Sequence, residues 1–477
     1  MATIVLEIPE EVNAVAPALL DMVETVQKQV QRGRMGASAD FAQFERLLAD
    51  KMNAVERAAL GVALGALDVD FPKVLIDGVL HRQVLRTGTT FMGLAGPVSV
   101  TRSLYRPAGE RNAPAVDPVA IRAGALEAIW LPAAAREMAY LIQQGTSREA
   151  ETTGQRLGRL PYSHTAFQRI AHAVGQRYVD QHQEIERQLI EEFEVPGQAR
   201  SISVSLDRVS VPMEEPRDRS VGRPRKGAPK RPVSRVFRMA YCGTVTLHDG
   251  EGRALHTIRY GTMPAGDPVA LCTGMADDVV EMLGQRPDLK VQLLCDGAKE
   301  MWNLLDAEFT AAPFDTGKIL VSRLIDFWHA VEKLAPAAKV LFADRDCKAH
   351  FARWKLRLRG KTSASAEILA ELVESGLEHV RVGDDEPVHE AITYFTNNQD
   401  RMDYAAARRA ALPIGSGAVE ATCKSLIAVR MKRPGARWKT RTGEHIVHLR
   451  ALALSDRWDS AIDLTLPSAR VKIRPAA

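Results

Sequence analysis

The chain has 477 residues, of which 46% are hydrophobic and 26% charged, with a formal net charge of +4. Length favours two to four domains with ample chain for real cores, and the composition is ordinary for a soluble globular protein. So small a net charge excludes a uniformly basic surface, and no uncharged apolar run reaches the ~18 residues needed to span a membrane. Five cysteines, at 242, 272, 295, 347 and 423, show no paired spacing; they fit a reducing cytosol and give no zinc signature. The opening stretch, Met1 to Glu11, lacks the basic n-region of a signal peptide.

Residues 1–75 are expected to form a helical segment, because Ala16, Leu19, Leu20, Val23 and Val26 recur at helical spacing as a core stripe. Residues 76–195 form a second region. After Gly96-Pro97, near-strict alternation through Arg106 predicts a short strand or hairpin, and Asn112 to Pro118 reads as a loop. Ser147 to Leu157 has the pattern of a capped helix. A turn follows from Gly158 to Tyr162, and Ser163 can cap a second helix running from His164 to about Phe193. Two helices on a tight glycine-containing turn match a helix-turn-helix over 147–193, whose second helix would enter a major groove. An ordinary helical hairpin has the same pattern. Arg148, Arg156, Arg159 and Arg169 lie on or beside this turn.

From Ser201 to Val211 the period becomes two. Ile202, Val204 and Leu206 share one face; Ser201, Ser203, Ser205 and Asp207 share the other. Small serines beneath an aspartate leave room for a ligand, although a solvent-facing strand has the same alternation. The basic Pro/Gly-rich run from Arg217 to Pro232 is too polar to pack and reads as a mobile loop. Within it Gly222-Arg223-Pro224-Arg225-Lys226 is similar to an AT-hook core, with phosphate attraction as the simpler function. Strands are expected from Val236 to Leu247 and from Ala254 to Tyr260, and a helix from Pro268 to Leu283. Val291 to Cys295 is a short apolar run, the pattern of a strand buried on both faces, and it ends in Asp296-Gly297. Ligands of α/β sheets gather at the carboxyl ends of strands, which puts Asp296 in position for catalysis; capping of the next helix is the alternative. A further buried strand, Lys318 to Ile325, leads into Asp326-Phe327-Trp328-His329. Asp326 and His329, at i and i+3, share a helix face and could bind metal, orient a DNA end or bond each other.

Residues 339–411 read as a mainly helical insertion carrying Arg345, Lys348, Arg353, Lys355, Arg357 and Arg359. Then comes Leu412-Pro413-Ile414-Gly415-Ser416-Gly417-Ala418-Val419-Glu420. A proline closes what precedes, glycines permit close approach, and Glu420 falls in the first turn of the next helix. Glu420 would complete a metal site with Asp207 and Asp296. A basic segment follows, with Lys424, Arg430, Lys432, Arg433, Arg437 and Trp438 as candidate DNA contacts. Trp438 either stacks on a flipped or frayed base or packs against the helix from Thr442.

This order of elements resembles a ribonuclease-H-like fold with a DDE transposase triad. Leu294-Cys295-Asp296-Gly297-Ala298, Asp326-Phe327-Trp328-His329-Ala330 and Leu412 to Glu420 are similar to segments of the ISKra-four family of insertion-sequence transposases, as is Arg430 to Trp438. The Asp-x-x-His also resembles that of Mutator-like transposases. Family members often carry a Cys-x-x-Cys near the arginine-tyrosine strand; Arg102 to Pro118 has no cysteine, so no zinc knuckle is expected. The resemblance implies an α/β catalytic domain over 196–338 and 412–455, interrupted by the helical insertion 339–411. A mainly helical DNA-binding region precedes it and a tail, 456–477, follows.

The activity implied is cleavage of insertion-sequence ends and joining of the 3′-hydroxyl to target DNA, with two Mg²⁺ or Mn²⁺ ions roughly 4 Å apart. Asp207 would bridge both ions, Asp296 and Glu420 would each bind one, and His329 would support the leaving group or orient a phosphate. The implied partner is double-stranded DNA, both transposon ends and target. A homo-oligomer, no membrane and a bacterial, nucleoid-associated cytoplasmic location belong to the same expectation. Two other functions use the same residues differently: a non-catalytic DNA-binding regulator derived from a transposase, and a ribonuclease-H-like nuclease without strand transfer.

Overall fold

The computed structural model describes residues 7–35, 40–214, 227, 235–316, 319–342, 344–378, 386–466 and 471–476. The chain is mixed α/β and divides into two compact units, one made of the described residues up to 182 and from 459, the other of residues 183–458. Among the described residues no helix is long and apolar enough to cross a membrane.

In the first unit, helices α1 (Ala16–Arg34) and α2 (Phe41–Gly65) occupy the predicted helical segment, α2 starting at Asp40, whose carboxylate accepts from the Gln43 N–H at 3.0 Å. The alternating stretch after Gly96 is one arm of a long hairpin, β2 (Val79–Gly93) with β3 (Gly96–Pro107), preceded by β1 (Lys73–Ile76). Helices α3 (Pro118–Arg122), α4 (Pro132–Gln144), α5 (Ser147–Arg156) and α6 (His164–Asp180) follow. The α5 cap is Thr146, in a capping box with Glu149, and Ser163 caps α6 as expected. The helix expected to reach Phe193 stops at Asp180, and a new helix begins at His182.

A larger correction concerns 456–477, expected to be a tail. A helix over Trp458–Thr465 and strand β9 (Ile473–Pro475) return to this unit. There β9 pairs antiparallel with β1, giving the order β3-β2-β1-β9, and Arg136 bonds Asp459 and Asp463. A β1 edge left bare would keep unpaired amides; three residues of β9 satisfy them.

The second unit opens with α7 (His182–Glu191) and is built on a five-stranded mixed sheet. Its strands are β4 (Ser201–Glu214), β5 (Arg235–His248), β6 (Ala254–Thr262), β7 (Lys290–Cys295) and β8 (Val321–Ile325), in the order β6-β5-β4-β7-β8. β4 pairs antiparallel with β5 and parallel with β7; β7 pairs parallel with β8. Helix α8 (Pro268–Gln285) connects β6 to β7, and α9 (Lys299–Phe309) connects β7 to β8. Ile202, Val204, Leu206, Leu293 and Cys295 pack with Cys272, Met275, Val279 and Met282 of α8 in one continuous core. Helix α10 (Phe327–Leu341) leads to the helical insertion, α11 (Asp344–Gly360), α12 (Ala364–Glu378), α13 (Glu386–Asn398) and α14 (Tyr404–Arg409).

Among the described residues, the serines of β4 below Asp207 leave no ligand space. Ser201, Ser203 and Ser205 are buried, and Ser203 Oγ lies 2.8 Å from His248 Nε2. Directly paired residues share a face, so Thr244, Thr246 and Gln292 join the serines there. The chain itself covers them. Gln292 Nε2 donates to the Pro413 carbonyl at 2.9 Å, and Gly261, opposite Cys242, has no room for a Cβ because Leu426 and Val447 stand 2.7 Å from where it would lie. Small side chains on this face let the segment after Leu412 come close.

Candidate active site

Strand register places the carboxylates. Val204 pairs with Leu293, so three residues further along each strand Asp207 and Asp296 reach one level. Cys295 pairs with Ile325, and the Asp326 N–H donates to the Cys295 carbonyl at 2.8 Å, which carries Asp326 to the same level. Alternation puts all three on the serine-bearing face, Asp296 and Asp326 just past the carboxyl ends of β7 and β8, and Asp207 in the middle of β4, just beyond its parallel pairing with β7.

The segment bearing Glu420 docks over them as helix α15 (Gly417–Thr422), a π-helical turn from Cys423 to Ala428, and α16 (Val429–Met431). Its entry is pinned from two sides. The Phe327 N–H donates to the Ile414 carbonyl at 2.9 Å, and the Ser416 N–H donates to Asp326 Oδ2. Asp326 is fully buried, and its other oxygen accepts from the Trp328 and His329 amides at 2.6 and 3.1 Å, capping α10.

Side chains from the start of α10 and from α15 meet here. Ligand atoms of Asp326, His329 and Glu420 all lie within 4.8 Å of one another, a spacing that groups sharing one ion can have. Glu420 is exposed, and its Oε1 lies 3.5 Å from His329 Nε2, while His329 Nδ1 is 3.6 Å from Glu332. The three are not equivalent. Asp326 already accepts three backbone N–H bonds, which occupy most of a carboxylate's lone pairs, whereas Glu420 and His329 face outward. Asp326 therefore acts first as the brace that sets α10 against the Glu420 segment.

Asp207 is half-buried. Burial raises its carboxyl above the usual range, with the nearby Asp296 charge adding to the rise; the Arg208 amide, the Cys423 thiol and His329 oppose it. Cys423 Sγ lies 3.4 Å from Asp207 Oδ2, and Cys423 sits one helical turn after Glu420. Hydrogen bonding to Cys242, burial and the Asp207 charge hold the Cys423 thiol far above its ordinary range, so it stays protonated and donates. Asp296 accepts from the Ala298 amide at 2.9 Å, a local turn bond, while α9 itself has no side-chain cap. Beside the site Glu300 bonds both Arg208 and Tyr241, fixing the side chain next to Asp207.

The basic candidates separate. Arg223, Arg225 and Lys226 lie outside the described residues. Lys424, Lys432 and Arg437 are exposed, with Lys432 Nζ 3.3 Å from Ser210 Oγ, and Arg433 is half-buried. Arg430 is buried, its guanidinium 5.0 Å from the Trp438 ring centre, and so serves the protein's interior. Trp438 is half-buried. Its indole N–H donates to the Met431 carbonyl at 2.9 Å, and its backbone bridges Pro212 and Glu214 of β4. In the first unit, Arg159 pairs with Glu56 at 2.7 Å and Arg169 with Glu127 at 3.1 Å, while Arg148 and Arg156 are exposed.

The sequence reading passed over two neighbours of the site, Cys423 and Tyr394. The place of Cys423 was recoverable from its i+3 spacing to Glu420. Tyr394 of α13 had no local signal: its ring lies where a Cβ on Gly297 would be, 2.5 Å from that position, and burial with the charges of Asp296 and Asp326 raises its phenol. Compared with family models and with curated proteins, the chain matches none.

Proposed function

We propose that residues 183–458 form a ribonuclease-H-like domain that cuts and joins DNA phosphodiester bonds as a DDE transposase. The observation that carries this is the register bringing Asp207 and Asp296 level on adjacent parallel strands, with Glu420 delivered beside His329 on the same face. A central strand with an antiparallel hairpin on one side and parallel strands on the other supports the same fold assignment.

The donor set fits a hard divalent ion. Glu420 and His329 supply an oxygen and a nitrogen in one group with Asp326; Asp207 and Asp296 would add oxygens from the adjacent strands, and the neighbouring Cys423 thiol is protonated. These residues would hold Mg²⁺ or Mn²⁺, which when bound activates water and neutralises charge on phosphate oxygens. The chain's own contribution is positional. Asp326 fixes the Glu420 segment against α10, Cys423 orients one oxygen of Asp207, and the imidazole of His329 stands ready to exchange a proton with a phosphate-ester oxygen. Exposed Lys424, Lys432 and Arg437 present charge to a DNA backbone.

The test uses duplexes carrying the inverted repeats that flank the gene, incubated with Mg²⁺ or Mn²⁺. Cleavage and 3′-end joining by the wild type are expected, with Asp207→Asn, Asp296→Asn and Glu420→Gln inactive. Cleavage without joining would identify a nuclease. Binding without cleavage, unchanged in the carboxylate variants, would identify a regulator and sink the proposal.

A further inference from the structure

Immediately beyond Asp296 the second unit has a cleft of about 600 Å³ that the proposed chemistry leaves unused. Its floor is Gly297 and the start of α9, which contributes Lys299, Asn303 and Trp302; α13 contributes Tyr394 and Asn397 from the opposite side. Lys333 of α10 and Arg401 add positive charge, and Glu390, 3.4 Å from Lys333, is the one carboxylate among the lining residues. Arg401 is committed to the protein, its guanidinium 4.5 Å from the Trp302 ring centre. Lys299 is different: it is exposed, and no carboxylate pairs with it among the described residues.

The chemistry of this wall points to one class of ligand. A volume of this size suits a nucleotide-sized group. An unpaired lysine at its mouth attracts phosphate, exposed Asn303 and Asn397 offer both donors and acceptors to a base edge, and Tyr394 presents an aromatic ring. The cleft begins one residue after Asp296, so a strand whose phosphate lies at Asp296 would lead its next nucleotide into it.

We infer that this cleft holds one unpaired nucleotide of the DNA strand, its phosphate on Lys299 and its base against Tyr394 between Asn303 and Asn397. The inference rests on the DNA-cutting function proposed above, since it takes the ligand to be a strand passing the carboxylates.

Binding is measured by fluorescence anisotropy, without divalent ions, using a labelled blunt duplex and the same duplex with a three-nucleotide single-stranded overhang. The wild type is expected to bind the overhang duplex about ten-fold tighter, the scale of one stacked base. Lys299→Ala combined with Asn397→Ala, both at exposed positions, should remove that preference while leaving blunt-duplex affinity unchanged. A wild type without preference, or a double variant that keeps it, overturns the inference. Cleavage assays with Mg²⁺ run alongside separate the two proposals. An overhang preference that depends on Lys299 and Asn397, in a protein that never cuts, upholds the cleft and removes the transposase function. Cutting that continues while the preference is absent does the reverse.

Discussion

Asp326 and Glu420 have ligand atoms within 4.8 Å of each other yet opposite surroundings, and substitution separates their roles. Asp326→Asn keeps one carbonyl oxygen for three backbone donors and loses the charge that strengthens them. We expect a loss of about 2 kcal/mol in stability, read as a lower urea midpoint. Glu420→Gln, at an exposed position, should leave that midpoint unchanged while lowering metal-dependent cleavage at least ~100-fold. Equal midpoints for the two variants would deny Asp326 its bracing role. A second titratable residue is independent of the site. Burial raises Asp278 to about 7, the neighbouring Glu186 charge adding to the rise and Arg457 opposing it, while Tyr260 and Arg457 donate to the carboxylate. Its folded form binds a proton more tightly than the unfolded chain does. The stability it contributes is therefore complete below about pH 4 and declines as pH rises towards 7. Urea midpoints at pH 5 and pH 8 should differ in the wild type, and Asp278→Asn should flatten the part due to this group.

At the level of elements, the serine-bearing face of β4 shows how a correct periodicity can be assigned a wrong purpose. Alternation identified Ser201, Ser203 and Ser205 as one face, but small residues permit either a ligand or a closely packed chain. Here the chain after Leu412 takes the space. Gly261 tests this contact: Gly261→Ala places a methyl 2.7 Å from Leu426 and Val447, so overpacking should cost about 1–3 kcal/mol in a chemical denaturation curve. The Glu420 helix likewise begins where its glycines and proline indicate, yet continues as a π-helical turn. That turn gives Cys423, next to Asp207, its bond to the Asp207 carboxylate. Arg430 and Trp438 were legible only as charge and aromaticity; their engagement with each other and with β4 depends on where that turn leaves the chain.

For the molecule as a whole, residues 183–458 are continuous in sequence and hold their own core, whereas the other unit needs both ends of the chain. Truncation after Trp458 removes β9 from β1 and the partners of Arg136. Differential scanning calorimetry should then show one transition moved to lower temperature and the other, belonging to 183–458, in place; movement of both would show that the units are not separately stable. The sequence by itself determined the mixed α/β class, the strands that carry Asp207 and Asp296, the helical insertion and the helix start before Glu420. Those features are written in local periodicity and in glycine, proline and capping residues, which act over a few neighbours. Only the tertiary structure decided that the tail joins the first unit, that Asp326 braces rather than merely caps, and that Tyr394 stands over Gly297. Each of these depends on hydrogen bonds and packing between segments far apart in the chain, and no local pattern encodes such a contact.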